Sequence, residues 1–150
     1  MLEHGLEDCE LCQSPGGEVV WESDLCRVVM VGDPDYPGFC RVILNRHVRE
    51  MTDLPEQDRL RLMNVLFGVE KAIRILYQPD KVNLASLGNM TPHLHWHLIP
   101  RWRDDRHFPN PVWAENQDSS SVSVQFPEAD YKAGIQEEFS AKLTEMRSIP

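Results

Sequence analysis

The 150-residue chain has no apolar run approaching the roughly 20 residues needed to cross a bilayer. It also lacks a basic-then-apolar leader, because residues 1–16 are acidic. Neither a membrane span nor an export signal is expected, and the cytoplasm is the expected location. Positive charge is scarce, with 15 Lys and Arg against 24 Asp and Glu and a formal charge of −9. That balance speaks against a broad basic surface for a nucleic-acid polymer, so any phosphate ligand has to be captured locally. Cysteine is limited to four residues, and a cytoplasmic chain of this size does not depend on disulfides. No internal repeat is visible, and the longest low-complexity tract is three serines at 119–121.

What is present fits one globular domain over residues 1–150, since a hydrophobic fraction of 41% and a charged fraction of 26% suit neither disorder nor a membrane protein. Residues 18–22, 25–31 and 39–44 have strand composition and are separated by turn-rich stretches, which reads as an antiparallel meander. A long helix is expected from about Pro55 to Tyr77, with Thr52 or Asp53 available as its cap. Leu62, Leu66, Val69, Ile73 and Leu76 recur at spacings of three and four and give that helix one buried face. Residues 81–87 return to strand composition, Gly88-Asn89 turns the chain, and 93–99 is the next strand, closed by Pro100. Residues 101–113 read as an irregular loop in which Asp104 and Asp105 offset Arg101, Arg103 and Arg106, a solvated arrangement. A short strand at 122–126 is expected to follow. Tyr131, Ile135, Phe139 and Leu143 repeat every four residues and predict a C-terminal helix. The fold class is α+β.

The chemistry is concentrated in His93-Leu94-His95-Trp96-His97-Leu98-Ile99. Side chains alternate along a strand, so the three imidazoles are expected on one face, with Leu94, Trp96 and Leu98 on the core side. Neighbouring imidazoles disfavour each other's charge, which leaves at least one neutral and nucleophilic near neutral pH. Two uses of such a face stand open. The three nitrogens can bind one catalytic metal, or the middle imidazole can attack phosphorus while its neighbours handle charge and protons. Residues 88–91 could then supply anion donors. Elsewhere, Cys9 and Cys12 have metal-ligand spacing but provide only half of a tetrahedral shell. Cys26 and Cys40 lie in apolar stretches and read as buried thiols. His4 and His107 read as surface histidines.

The segment from His93 to Ile99 resembles the signature of the histidine triad (HIT) family, and all seven positions comply. Pro37-Gly38 followed by a strand, then Arg46-His47 and the long helix, extends the resemblance over most of the chain. The resemblance implies a HIT-like α+β fold, a homodimer, and a nucleotide substrate attacked at its α-phosphorus without a catalytic cofactor, as in hydrolases of the diadenosine polyphosphate type. It implies that His95 forms a covalent nucleotidyl-imidazole and that His97 contacts the phosphate and helps protonate the leaving group, with His93 completing the triad. Asn83 and Asn89 lie about where the family carries amides that hold the nucleotide and its α-phosphate. Asp33 corresponds to the ribose contact if the loop has slipped, since direct spacing lands on Val31. Two departures are Phe39, where many relatives have histidine, and Trp96, bulkier than the usual aliphatic residue. Zinc-bearing members of the superfamily imply a structural Zn²⁺ held by Cys9, Cys12, His47 and His93.

Overall fold

The computed structural model describes residues 6–115 and, singly, Glu137, Ala141 and Thr144. Its elements are a short helix α1 (Glu10–Gln13), strands β1 (Glu18–Glu22), β2 (Cys26–Met30) and β3 (Cys40–Leu44), a 3-10 turn at Met51–Asp53, the long helix α2 (Glu56–Tyr77), and strands β4 (Lys81–Ala85) and β5 (His95–Arg101). All strand pairs are antiparallel, and the sheet order is β1-β2-β3-β5-β4. The first three strands form the expected meander. The chain then crosses through α2 and returns to β4 at the far edge, so that β5 enters between β3 and β4 and becomes an interior strand.

Sheet alternation divides the two faces by chemistry. One face carries Cys26, Val28, Met30, Cys40, Val42, Leu44, Val82 and Leu98 and packs against Leu62, Leu66, Val69 and Ile73 of α2. Each such side chain removed from water contributes roughly 1.5–3 kcal/mol before chain entropy is subtracted. Trp96 is half-buried against this cluster, on the core side as its position in the strand requires. Cys26 and Cys40 are fully buried thiols, and burial holds the Cys26 thiol up at about 11.

The other face is covered at two places by small clusters. Cys9 and Leu11 sit on Val29 and Ile43, while Tyr36, Phe39 and Ile99 pack together with Val31 and Val112. Between these clusters lie Arg41, His95 and His97. Gly38 makes the second cluster possible: its φ is +86°, and a Cβ there would meet the Tyr77 ring at 2.8 Å. No other residue lets the chain pass so close to the end of α2 and still deliver Phe39 to the sheet.

Several boundaries differ from the sequence reading, each for a physical reason. Neither Thr52 nor Asp53 caps α2; they form the 3-10 turn, Pro55 takes the N-cap without a side-chain bond, and Glu56 and Asp58 supply the favourable negative charge. The helix stops at Gln78, which adopts a left-handed conformation (φ 48°) ahead of Pro79. Strand β4 ends at Ala85 rather than at residue 87. Strand β5 starts at His95, not His93, and runs through Pro100 to Arg101. Pro100 lies opposite Val82, beyond Leu98 where the β3 pairing ends, so its missing N–H breaks no bond to β3. The strand expected at 122–126 lies outside the described residues, as does His4. So does the C-terminal helix, apart from the helical positions Glu137, Ala141 and Thr144.

Candidate active site and metal centre

His95 and His97 occupy alternate positions of β5 and share the face away from α2, with ring centroids 4.9 Å apart. His93 precedes the strand, and its ring turns to the N-terminal cysteines, which cover the same face of the sheet over Val29 and Ile43. The main chain of His93 still belongs to the site, because His95 Nδ1 donates to its carbonyl oxygen. A carbonyl only accepts, so this bond fixes a proton on Nδ1 and makes Nε2 the nitrogen that can present a lone pair.

His97 is in a different condition. Its ring is 7% exposed and its Nδ1 has no hydrogen-bond partner among the described residues. Burial, then the neighbouring charges of His95 and Arg41, push its pKa down to about 4. The imidazole is therefore neutral at physiological pH and has a polar atom in want of a partner. Phe39 meets its ring edge-on at 6.0 Å and Trp113 at 5.1 Å, so His97 stands between two aromatic groups. Phe39 thus gives His97 an apolar wall on this side.

The cysteine cluster is assembled from three distant segments. Cys9 Sγ and Cys12 Sγ each lie 3.4 Å from His93 Nδ1, and Cys12 Sγ lies 3.4 Å from His47 Nδ1. The four donor atoms all fall within 4.8 Å of one another. Zinc bonds of about 2.3 Å to sulfur and about 2.0 Å to nitrogen imply tetrahedral edges of roughly 3.3–3.8 Å, which these spacings approach. His93 is also in the tautomer a metal requires: Nε2 donates to the Leu44 carbonyl at 2.7 Å, leaving Nδ1 unprotonated and aimed at the sulfurs. Burial lowers the His93 pKa, which keeps its ring neutral, and raises that of Cys12. Arg27 on β2 pins this segment through the carbonyls of Leu11 at 2.7 Å, Pro15 at 2.9 Å and Ser14 at 3.2 Å.

The loop after β5 is not a solvated tangle of charges. Arg101 is 2% exposed, and its Nε and Nη2 donate to Asp105 at 2.8 and 3.0 Å. Asp105 also accepts from the backbone N–H groups of Trp102, His107 and Phe108. Arg101 further reaches the Asn110 carbonyl at 2.7 Å. The buried pair holds the loop in one shape, which carries Trp113 to His97. His107 is half-buried rather than on the surface, bonding through Nδ1 to the Tyr36 hydroxyl.

Of the proposed nucleotide contacts, Asn83 is half-buried on β4 with its Oδ1 engaged by Arg101 Nη1 at 2.9 Å, which leaves its amide nitrogen free to donate. Asp33 forms an Asx turn, its Oδ1 accepting from the Asp35 N–H at 2.9 Å. Asn89 is exposed beside Gly88 in the turn before the triad. Sequence reasoning did not reach Arg41, Trp113 or the Arg101–Asp105 pair. Arg41 had a signal, since it is a charged residue on the triad side of an otherwise apolar strand, whereas Trp113 sits in an irregular loop where no periodicity applies.

Comparison with known proteins agrees with this architecture. The HIT domain model matches residues 15–104, more than half of the chain. The AP-4-A phosphorylase of Mycobacterium tuberculosis is 32% identical over 101 residues, covering 61% of this chain and 50% of that protein. The chain thus spans about half the length of that relative. A histidine triad protein from Marinobacter aquaeolei superposes with a TM-score of 0.69 at 28% identity, covering 85% of this chain and 89% of that one. A Zn-bound histidine triad family protein from Mycobacterium smegmatis shares the fold, with a TM-score of 0.58 at 20% identity over 95% of this chain and 98% of that one.

Proposed function

Because the chain belongs to the HIT domain family, we propose that it transfers a nucleotidyl group from a nucleoside polyphosphate or phosphoramidate, with His95 as the nucleophile. The observation that carries this reading is the bond from His95 Nδ1 to the His93 carbonyl, which presents the Nε2 lone pair on the face away from the core. In the first step Nε2 attacks the α-phosphorus. A P–N bond forms as the bond to the leaving group breaks, and its electron pair departs on the leaving atom. Positive charge developing on the His95 ring is stabilised at Nδ1–H by the carbonyl dipole. His97 contacts the phosphate and relays a proton to the leaving group, regaining one from solvent, so that its ring ends the step neutral. In the second step an acceptor oxygen attacks phosphorus, the P–N bond breaks and its pair returns to Nε2, while the acceptor's proton is lost to solvent. Water as acceptor gives hydrolysis. Inorganic phosphate gives phosphorolysis, the activity named for the Mycobacterium tuberculosis relative. Phosphoryl chemistry of this kind rests on positioning and charge stabilisation, both of which the protein supplies.

Asn83, Asn89 and Asp33 are assigned to nucleotide contacts, Asn83 through its free amide nitrogen. A Zn²⁺ held by Cys9, Cys12, His47 and His93 would be structural, cross-linking the N-terminus to the segment that leads into β5. One ion shared by all three triad histidines is disfavoured by geometry, since both His93 nitrogens face other groups. The working unit is a cytoplasmic homodimer that uses neither a membrane nor a nucleic-acid polymer. No helix among the described residues is long and apolar enough to cross a membrane.

The decisive experiment incubates the protein with a panel of nucleoside polyphosphates and phosphoramidates and looks by mass spectrometry for a nucleoside monophosphate on His95. His95→Ala is expected to abolish both adduct and turnover while retaining nucleotide binding. Full turnover by that variant sinks the assignment.

A further inference from the structure

Arg41 is the unassigned charge on the triad face. It sits on β3 directly opposite His97, and Ile43 of the same strand lies opposite His95, so Arg41 and the two imidazoles project from one side of the sheet. Its bonding is sparse for a half-buried guanidinium. Nη1 reaches the Gly16 carbonyl at 3.3 Å, while Nε is buried with no hydrogen-bond partner among the described residues. Arg49, Arg59, Arg74 and Arg103 likewise show no ion pair among the described residues, but none of them lies on the triad face, and Arg41 contrasts with the rest. Arg46, Arg61, Arg101 and Arg106 are all paired with carboxylates, and Arg27 spends its fork on three backbone carbonyls. Arg41 forms no ion pair among the described residues.

A guanidinium kept partly out of water without a counter-ion costs stability unless an anion arrives to match it. Beside it lies the unpartnered Nδ1 of His97. The two groups offer donors for a phosphate in a protein whose net charge of −9 otherwise repels one.

We propose that Arg41, with His97, forms an anion subsite for the phosphates of the leaving group, so that the site favours substrates whose leaving group is itself a phosphate or polyphosphate over those that release an amine. The proposal rests on the nucleotidyl-transfer reading only for which phosphates are held; the subsite itself is a property of the free protein. In the transfer step Arg41 takes no proton and forms no bond to phosphorus. It neutralises the charge that gathers on the bridging oxygen as the α-phosphorus bond to it breaks, and Arg41 suits this because its fork stays charged at any working pH.

The test uses inorganic triphosphate as the probe, with binding measured by calorimetry on the wild type, Arg41→Gln, Arg41→Lys and a charge control, Arg74→Gln, on the exposed side of α2. Arg41→Gln is expected to weaken triphosphate binding about 10- to 100-fold, the effect of losing a charge-assisted contact. Arg41→Lys should fall between, and Arg74→Gln should stay within about twofold, which screening of a distant charge allows. Equal weakening by the Arg41 and Arg74 variants overturns the proposal. Should Arg41→Gln fail to fold, the wild type decides: triphosphate must protect Arg41 from modification by phenylglyoxal, read by peptide mass, and absence of protection overturns it. A kinetic arm compares one nucleoside carried as a polyphosphate and as a phosphoramidate. The Arg41→Gln loss in kcat/KM is expected to be at least tenfold greater for the polyphosphate, and equal losses overturn the proposal. Triphosphate binding that depends on Arg41, together with no turnover of any nucleotide by the wild type, leaves the subsite standing and removes the transfer reaction instead.

Discussion

Asp105→Asn is the perturbation whose consequence can be worked furthest from the structure. The carboxylate accepts five N–H donors: Arg101 Nε at 2.8 Å, Arg101 Nη2 at 3.0 Å, and the backbone N–H groups of Trp102 at 3.0 Å, His107 at 3.0 Å and Phe108 at 2.7 Å. Asparagine keeps the shape but offers one oxygen, and its amide nitrogen must face donors. Arg101, 2% exposed, is left as a buried charge without its counter-ion. Breaking one side of such a pair costs about 3–5 kcal/mol. At about 2–4 °C per kcal/mol for a domain of this size, the melting temperature should fall by roughly 6–20 °C. Differential scanning calorimetry and urea unfolding measure this directly, and adding Arg101→Met to Asp105→Asn should recover part of the loss, because no charge then stays buried while the asparagine oxygen still accepts from the backbone N–H groups. The acid limb supplies a second check. Burial alone would raise the Asp105 pKa, but Arg101 and the three backbone donors outweigh it and hold the carboxyl below the usual range. A carboxyl depressed in the folded state contributes stability that is complete above its unfolded pKa of about 3.9 and is lost as pH falls further. The wild type should therefore lose stability below about pH 4, and Asp105→Asn should show a shallower acid limb. A melting temperature within 2 °C of the wild type (about 1 kcal/mol or less), with an unchanged denaturant slope, would refute the view that this pair shapes the loop.

His97, buried neutral with its pKa near 4, binds its proton more weakly in the folded than in the unfolded chain, so stability should rise from pH 4 to about 6.5 by at most ~3 kcal/mol. Replacing it by Gln should flatten that slope in urea titrations at stepped pH, and an unaltered slope counts against the assignment. Metal analysis of protein purified without added zinc should find about one equivalent, the shell being a closed four-ligand set. Chelation or Cys9→Ser should lower the melting temperature, and far less than one equivalent with no chelator effect removes the metal site. Trp113→Ala should change kcat/KM while leaving the melting temperature nearly unmoved, because the indole is 52% exposed; an unchanged kcat/KM would place the residue outside the site.

The parts of the structure legible in the sequence were those with a period. The apolar spacing from Leu62 to Ile73 located the buried face of α2, and the alternation around Trp96 put His95 and His97 on one side and the indole on the other. His93 precedes the strand, yet its ring keeps to the same side, because it meets Cys9 and Cys12, and Cys9 covers Val29 and Ile43 on the triad face. The grouping of Cys9, Cys12, His47 and His93 came from resemblance rather than from spacing, since the segments involved lie far apart along the chain. The Arg101–Asp105 pair was hidden for a different reason: in sequence a buried ion pair and two solvated charges look alike, and only the packing of Tyr36 and Phe108 around the guanidinium separates them.

The carbonyl of His93 sets the proton on His95 while its ring answers to Cys9 and Cys12. Reactivity in β5 is thereby made answerable to a stretch of chain more than eighty positions earlier. A form trimmed of its first dozen residues would keep every histidine of the triad and still lose the brace on the segment whose carbonyl meets His95 Nδ1.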